Sequence, residues 1–292
     1  MDNSVYMLAL GSNLFFALGS IIYTKYARLI SSVWMNTFKA SFALMCFALT
    51  ITLLGQWHAL EVSFFIPLLI SGAIGLGIGD IFILKSFASI GPGRTMMLFG
   101  FQPLIIGALS YLFFQQTLDL NKFWAIIFFI ACLITFSLEN LRTSGQWDFK
   151  GIVWALTGML LDALGIILTR YSFNQNPSIT SWEGNFYRCL GAIAVFLMIS
   201  YFRPFNFFNI LKELPKNCKL SLSLGSLLGT YCSLSLYLMA IQMGNLATIS
   251  GLSITGTLFA AFFECLYFKR KPSKYLILGL CFFLFGMKFL LF

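Results

Sequence analysis

The chain has 292 residues, of which 59% are hydrophobic, 17% aromatic and only 10% charged, with a formal net charge of +9 and a mean hydropathy of +0.87. A soluble domain of that length needs far more charge to face water, so the composition excludes one and points to a chain bathed in lipid. The positive charge is spread over several loops, which argues against a nucleic-acid surface and for a membrane-orientation signal.

A helix needs about 20 mostly apolar residues to cross a hydrocarbon core of roughly 30 Å. In chain order the sequence predicts ten such spans, at 5–24, 33–54, 64–86, 94–114, 122–140, 151–170, 183–202, 220–241, 246–268 and 275–292. A closed barrel would need short alternating strands, whereas 123–136 runs on without a charge, so helices are expected. The first span reads as a retained helix, because Asp2 stands where a leader would be basic and no small-residue cleavage site precedes Lys25 and Arg28. The longest connection, 203–219, holds Pro204, Pro215 and four basic residues. The cysteines (46, 132, 189, 218, 232, 265 and 281) show no CxxC or Cys/His spacing and read as buried apolar thiols, with neither disulfide nor metal implied. Most Lys and Arg residues, from Lys25 and Arg28 to Lys271 and Lys274, fall on the odd-numbered connections; Lys122, Arg170 and Lys288 fall on the other side. The positive-inside rule then places the odd connections in the cytoplasm and both termini outside.

The ten spans divide into two groups of five, 1–145 and 146–292. Thr24-Lys25-Tyr26 matches Thr169-Arg170-Tyr171, Trp34 and Phe38 match Trp182 and Phe186, Gly77 and Ala88 match Gly229 and Ala240, and Ala125 and Cys132 fall where Gly279 and Gly286 stand. Five is odd, so the second group must lie upside down relative to the first. Inverted repeats around a midplane site are how many secondary transporters open one site to either side in turn, with spans three and four facing eight and nine across a cavity.

The run Gly79-Asp80-Ile81-Phe82-Ile83-Leu84-Lys85-Ser86-Phe87-Ala88-Ser89-Ile90-Gly91 resembles the GD-x-x-Y/F-x-x-A-L-x-x-x-G stretch of EamA-type proteins in the drug/metabolite transporter superfamily, and Phe101-Gln102-Pro103-Leu104 resembles that family's proline-bearing fourth helix. The family's glutamate thirteen residues past that proline is replaced here by Gln116; in the second half the proline position falls at Thr257 and the glutamate position at Arg270. The resemblance implies an all-α membrane protein of ten helices, two inverted five-helix repeats, that moves small metabolites, often amino acids, outward.

Polar groups in mid-membrane are costly and usually face the bundle interior or a wet cavity. Asp162 is the sharpest candidate, near the middle of span six, with Gly158 and Gly165 on the same helical face making room for a substrate or a close helix. Asp80 ends the Gly75-x-Gly77-x-Gly79 series, which is no phosphate loop because it lies within a span; pairing with Lys85 or Arg94 is expected for it. Asn13, Gln102 and Gln242 are uncharged polar candidates, and Gln102 leads because the mid-span Pro103 frees a backbone carbonyl. Trp154, Tyr187 and Tyr231 are candidates for stacking on a substrate, while Glu183, Arg188 and Glu264 read as snorkelling side chains near span ends.

The expected function is a secondary transporter that moves an amino acid or related amphiphilic solute across the cytoplasmic membrane by alternating access, as an exporter. It calls for a small-molecule substrate, a lipid bilayer and no cofactor; monomer and homodimer both remain open, as does proton coupling. No Walker motif is present to couple ATP. A proton-coupled multidrug exporter is the alternative, although such proteins rely on an acid in span one and this span has none. An embedded lipid or polyprenyl enzyme needs clustered His, Asp or Cys, and the single His58 with Glu61 as its nearest acid in sequence is too little.

Overall fold

The computed structural model describes residues 3–59, 61–102, 148–244, 252–267 and 271–291, with positions 105, 106, 108, 109, 124, 127, 128, 130–132, 134, 135, 138, 142, 246, 249 and 269 between them. Every described element is helical: α1 (Asn3–Ala27), α2 (Ser32–Leu54), α3 (Val62–Ile90), α4 (Pro92–Leu98, continued by the 3-10 turn Phe99–Phe101), α5 (Phe149–Gln175), α6 (Ser181–Phe202), the short α7 (Phe207–Glu213), α8 (Lys216–Met243), α9 (Ser253–Tyr267) and α10 (Lys274–Leu291). Among them α1, α2, α3, α5, α6 and α8 are long and apolar enough to cross a bilayer, and they answer spans one, two, three, six, seven and eight. Most of the later half of span four and about half of span five lie outside the described residues, as do Pro103, Gln116 and Arg270.

Local chemistry sets the helix starts. Ser31 accepts from the Trp34 amide at 3.2 Å to open α2, Asp148 accepts from Gly151 at 3.0 Å to open α5, and Thr180 with Glu183 forms a reciprocal capping box on α6. Gly91, at φ +86, turns α3 into α4 in a conformation that a side chain disfavours.

Two π-helical segments interrupt otherwise regular helices, Gly72–Gly79 within α3 and Leu227–Cys232 within α8. Such wide turns displace carbonyls from their usual partners, and buried asparagines collect them. Asn36 of α2 donates to the Leu76 and Gly77 carbonyls at 2.8 and 2.9 Å, and Asn185 of α6 donates to the Leu234 carbonyl at 2.9 Å, just past the second segment. The equivalence of α2 and α6 therefore runs one residue away from the Trp34/Trp182 and Phe38/Phe186 pairing. Asn36 and Asn185, Lys39 and Arg188, Ala43 and Ala192, and Phe47 and Phe196 all stand 149 positions apart.

Glycines let these helices cross with almost no gap. A Cβ on Gly72 would sit 1.8 Å from the Arg188 carbonyl oxygen, and one on Gly191 would sit 2.0 Å from that of Leu69, so α3 and α6 touch backbone to backbone. Gly19 of α1 meets Gly229 of α8 in the same way, at 2.4 Å. Gly158 and Gly165 also serve packing: Cβ atoms there would stand 2.7 Å from Ile83 and 3.0 Å from the Ser71 carbonyl, so the space beside Asp162 on that face is filled by α3.

Contacts at the helix ends sort the connections into two sets. At one end Arg28 donates to the Ala88 carbonyl, Ser89 to Asp148, the Trp34 indole to the Phe207 carbonyl, and the Gly93 amide to Glu264 at 2.7 Å. At the other, His58 meets Glu183, and Gln242 donates to the Ile179 carbonyl. The odd connections thus share one end, as alternating spans require. The exterior carries bare apolar side chains, such as Leu53 at 76%, Leu197 at 67% and Phe262 at 62% exposure, which suits hydrocarbon rather than water. Only Cys132 and Cys189 of the seven thiols are buried; Cys281 is exposed and the rest are half-buried, which corrects the expectation of burial throughout.

Candidate functional site

Between the two sets of connections lies a cavity of about 90 Å³, lined from α1, α2, α3, the α4 region, α5, α6 and α8. No described residue of α9 lines it. Instead α9 packs behind α1 and α4, where Gly256 lies against Asn13 and Thr257 donates to the Met96 carbonyl at 3.0 Å. Among the described residues, that departs from the expected opposition of span nine to spans three and four.

Four charged side chains converge on the cavity. Asp80 is the first residue beyond the π-helical segment of α3 and pairs with Lys39 of α2, both being buried. This corrects the expected partners. Lys85 lies five residues on, about 140° around the helix, and stacks over the Phe82 and Trp154 rings at 5.4 and 5.8 Å. Arg94 reaches the Ile90 carbonyl. Lys39 also stands over the Tyr23 ring at 5.5 Å. Asp162 of α5 accepts from the Gln102 amide at 2.8 Å on one carboxylate oxygen. Arg188 of α6 is 1% exposed and donates through Nε to Ser71 Oγ at 3.1 Å. Gly75 stands between the last two groups: a Cβ there would lie 3.6 Å from Asp162 Oδ1 and 3.8 Å from Arg188 Nη2.

The facing wall is uncharged. Ser12 donates to the Ser233 carbonyl at 2.9 Å, and Asn13 donates to the Leu252 carbonyl and Thr255 Oγ1 at 2.9 and 3.1 Å. Tyr23 donates to the Gly225 carbonyl or shares a proton with Thr230, each at 2.8 Å. Thr230, Ser233 and Tyr237 complete this side.

Of the eight residues singled out from sequence, Asn13, Asp80, Gln102 and Asp162 meet at this cavity. The other four stand elsewhere. Trp154 packs with Lys85, about two turns from Asp162 toward the start of α5. Tyr187 is wedged among Phe64, Phe65 and Phe186, with the Phe65 ring centroid at 5.2 Å. Tyr231 stacks on Trp182 at 5.9 Å and shares a 2.6 Å hydrogen bond with Thr50. Gln242 lines a separate opening at the helix ends, with Arg170, Asn174 and Ser178. These aromatics are thus engaged by protein neighbours: a lysine ammonium for Trp154, phenylalanine rings for Tyr187, and an indole with a threonine hydroxyl for Tyr231.

Lys39 and Arg188 were not singled out, and both prove central. Arg188 and Glu183 are buried rather than snorkelling: α6 presses against α3 at Gly72, beside Arg188, and Glu183 is held by Thr180 and His58 at the start of α6. Glu183 receives the His58 ring nitrogen at 2.7 Å and its amide at 2.8 Å, so His58 pairs with Glu183 and not with Glu61. Glu264 is half-buried and grips the turn between α3 and α4.

A model of the EamA-like transporter family matches the chain twice, over residues 3–138 and again over 149–292. No curated protein has a significant sequence match to it. One solved crystal structure of a protein aligns over 99% of this chain and 96% of its own with a TM-score of 0.70, at 11% sequence identity, which is a likeness of fold. A doubled family match over nearly the whole length, on a multi-pass bundle of apolar helices around a polar cavity, leaves one assignment: the chain belongs to the EamA-like transporter family of membrane proteins.

Proposed function

We propose that the protein is a secondary transporter that exports a small amphiphilic metabolite, an amino acid or a close relative, across the cytoplasmic membrane by alternating access. The observation that carries this reading is the cavity itself, where charged and amide groups drawn from both halves meet at a depth that lipid would penalise. The two family matches suit repeats of 1–145 and 146–292. Three pairings support an inverted relation between them: the π-helical segments of α3 and α8, the reciprocal asparagines of α2 and α6, and the tight crossings of α1 on α8 and α5 on α3. The basic connections that share one end favour the cytoplasm for that end. At 90 Å³ the cavity is well below the roughly 300–1,000 Å³ of drug-sized pockets, which favours a small solute over the multidrug alternative.

Asp162 is the proposed cation or proton receptor, because it lines the cavity with one oxygen oriented by Gln102 and the other lying beside Gly75. In proteoliposomes, Asp162→Asn is expected to lower amino-acid flux at least tenfold with a near-native melting temperature. Wild-type flux from well-folded Asp162→Asn protein would return the residue to a helix-packing role.

A further inference from the structure

Arg188 is the one charged residue among the large, fully buried side chains described. A guanidinium carries five N–H donors and cannot shed its charge, so burying it is costly unless anions or acceptors surround it. Here Nε is spent on Ser71 Oγ at 3.1 Å, while Nη1 is buried with no hydrogen-bond partner among the described residues. Among the described residues no carboxylate pairs with Arg188. Asp80 is taken by Lys39, and Asp162 is oriented by Gln102 from beyond Gly75. Ser71 is itself fixed by its 2.7 Å bond to the Gly165 carbonyl, and the α6 backbone is pinned where Gly72 meets Arg188. The guanidinium is thus held in place at the cavity wall, with Nη1 a buried donor still to be satisfied.

The charge balance of the lining narrows the ligand. Lys39 and Asp80 cancel, which leaves one positive and one negative group that share the cavity without touching. A net cation or anion would leave an uncompensated charge in a low-dielectric space, whereas a zwitterion satisfies both groups and adds none. We propose that Arg188 is the anion anchor of the transport site, and that the substrate is a small zwitterion whose oxyanion rests on Arg188 while its ammonium faces Asp162. This rests on the transporter reading above and deepens it by fixing which end of the solute binds where. A guanidinium takes a carboxylate, sulfonate or phosphate with the same fork of donors, so the oxyanion is the shared chemistry.

The test uses purified full-length protein in detergent. Equilibrium binding and thermal stabilisation are measured with neutral L-amino acids, the matched amines lacking the carboxylate, the matched acids lacking the amine, and aminoalkyl sulfonates and phosphates of similar length. Wild type is expected to bind at least one zwitterion ten times or more tighter than its matched amine or acid. Arg188→Gln should lose at least tenfold for that zwitterion while keeping or gaining affinity for the amine, and Arg188→Lys should restore the original order in part. Structural damage weakens all ligands alike and cannot reverse their order. Should the glutamine variant not fold, the wild-type series decides alone: an amine that binds as tightly as its zwitterion overturns the anchor while leaving the transporter standing. No binding by any of the ligands would overturn both readings. A preference for the aminoalkyl phosphates over amino acids would keep the anchor and assign the oxyanion.

Discussion

The cavity has two unlike walls. One, built by α2, α3, α5 and α6, carries Lys39, Asp80, Asp162 and Arg188; the other, built by α1 and α8, carries Ser12, Asn13, Thr230, Ser233 and Tyr237. On the second wall the described hydrogen bonds run from helix to helix: Ser12 to the Ser233 carbonyl, Asn13 to the Leu252 carbonyl, Tyr23 to Gly225 or Thr230. The hydroxyls of Ser12, Thr230 and Ser233 are spent on holding α1 to α8, and that of Tyr237 has no hydrogen-bond partner among the described residues. The first wall keeps capacity in reserve, in Arg188 Nη1, which has no hydrogen-bond partner among the described residues, and in the Asp162 oxygen beside Gly75 that Gln102 does not engage. Polarity alone does not mark a binding site; unspent polarity does.

Perturbing each wall tests that contrast. The largest stability effect is expected from breaking the buried pair: Lys39→Met or Asp80→Leu alone strands a charge and should cost about 3–5 kcal/mol in reversible unfolding. The double variant should recover most of that loss, because an apolar pair of similar volume replaces the ion pair; a double loss equal to the sum of the two single losses would mean that the two charges do not depend on each other. A middle effect belongs to Gly72→Ala, where the new methyl meets the Arg188 carbonyl at 1.8 Å and must push α3 from α6, at about 1–3 kcal/mol. Yield and melting temperature should both fall, and more than for Gly229→Ala, whose Cβ meets Gly19 at the looser 2.8 Å. The smallest effect is expected from Ser12→Ala, about 1 kcal/mol or less with less than a threefold change in flux, since it removes a tie between helices and no ligand contact. A flux loss there as large as for Asp162→Asn would erase the distinction between the walls.

Much of the fold was legible because lipid imposes it: apolar runs of fixed length appear as α1, α2, α3, α5, α6 and α8 within a few residues of their expected limits. Asp162, Asp80, Gln102 and Asn13 were legible for the same reason, as polar residues deep within such runs. Lys39 and Arg188 were not, because each lies only seven residues past the start of its helix, at Ser32 and Ser181, where a long basic side chain would ordinarily reach the interface. What keeps Arg188 inside is helix proximity at Gly72 and Gly191, and what keeps Lys39 inside is its pair with Asp80, both properties of the assembled bundle. A signal was present nonetheless: matching α2 to α6 through Asn36 and Asn185, rather than through the tryptophans, brings Lys39 and Arg188 into register. The stacking roles expected of Trp154, Tyr187 and Tyr231 were beyond reach for the opposite reason. Aromatic side chains are abundant here, and only contacts tell a packed ring from a lining one.

The π-helical segments have a mechanical consequence. A π turn takes in one residue more than an α turn, so tightening it to α geometry would rotate everything beyond it by about 100°. Asp80 follows the first segment directly and Ser233 the second, and both line the cavity. Such a twist would therefore sweep one acidic and one hydroxyl group out of the cavity together, withdrawing Asp80 from Lys39 and Ser233 from Ser12. The helix pairs could change which groups they present without separating at their glycine crossings, much as a key turns in its lock without leaving it.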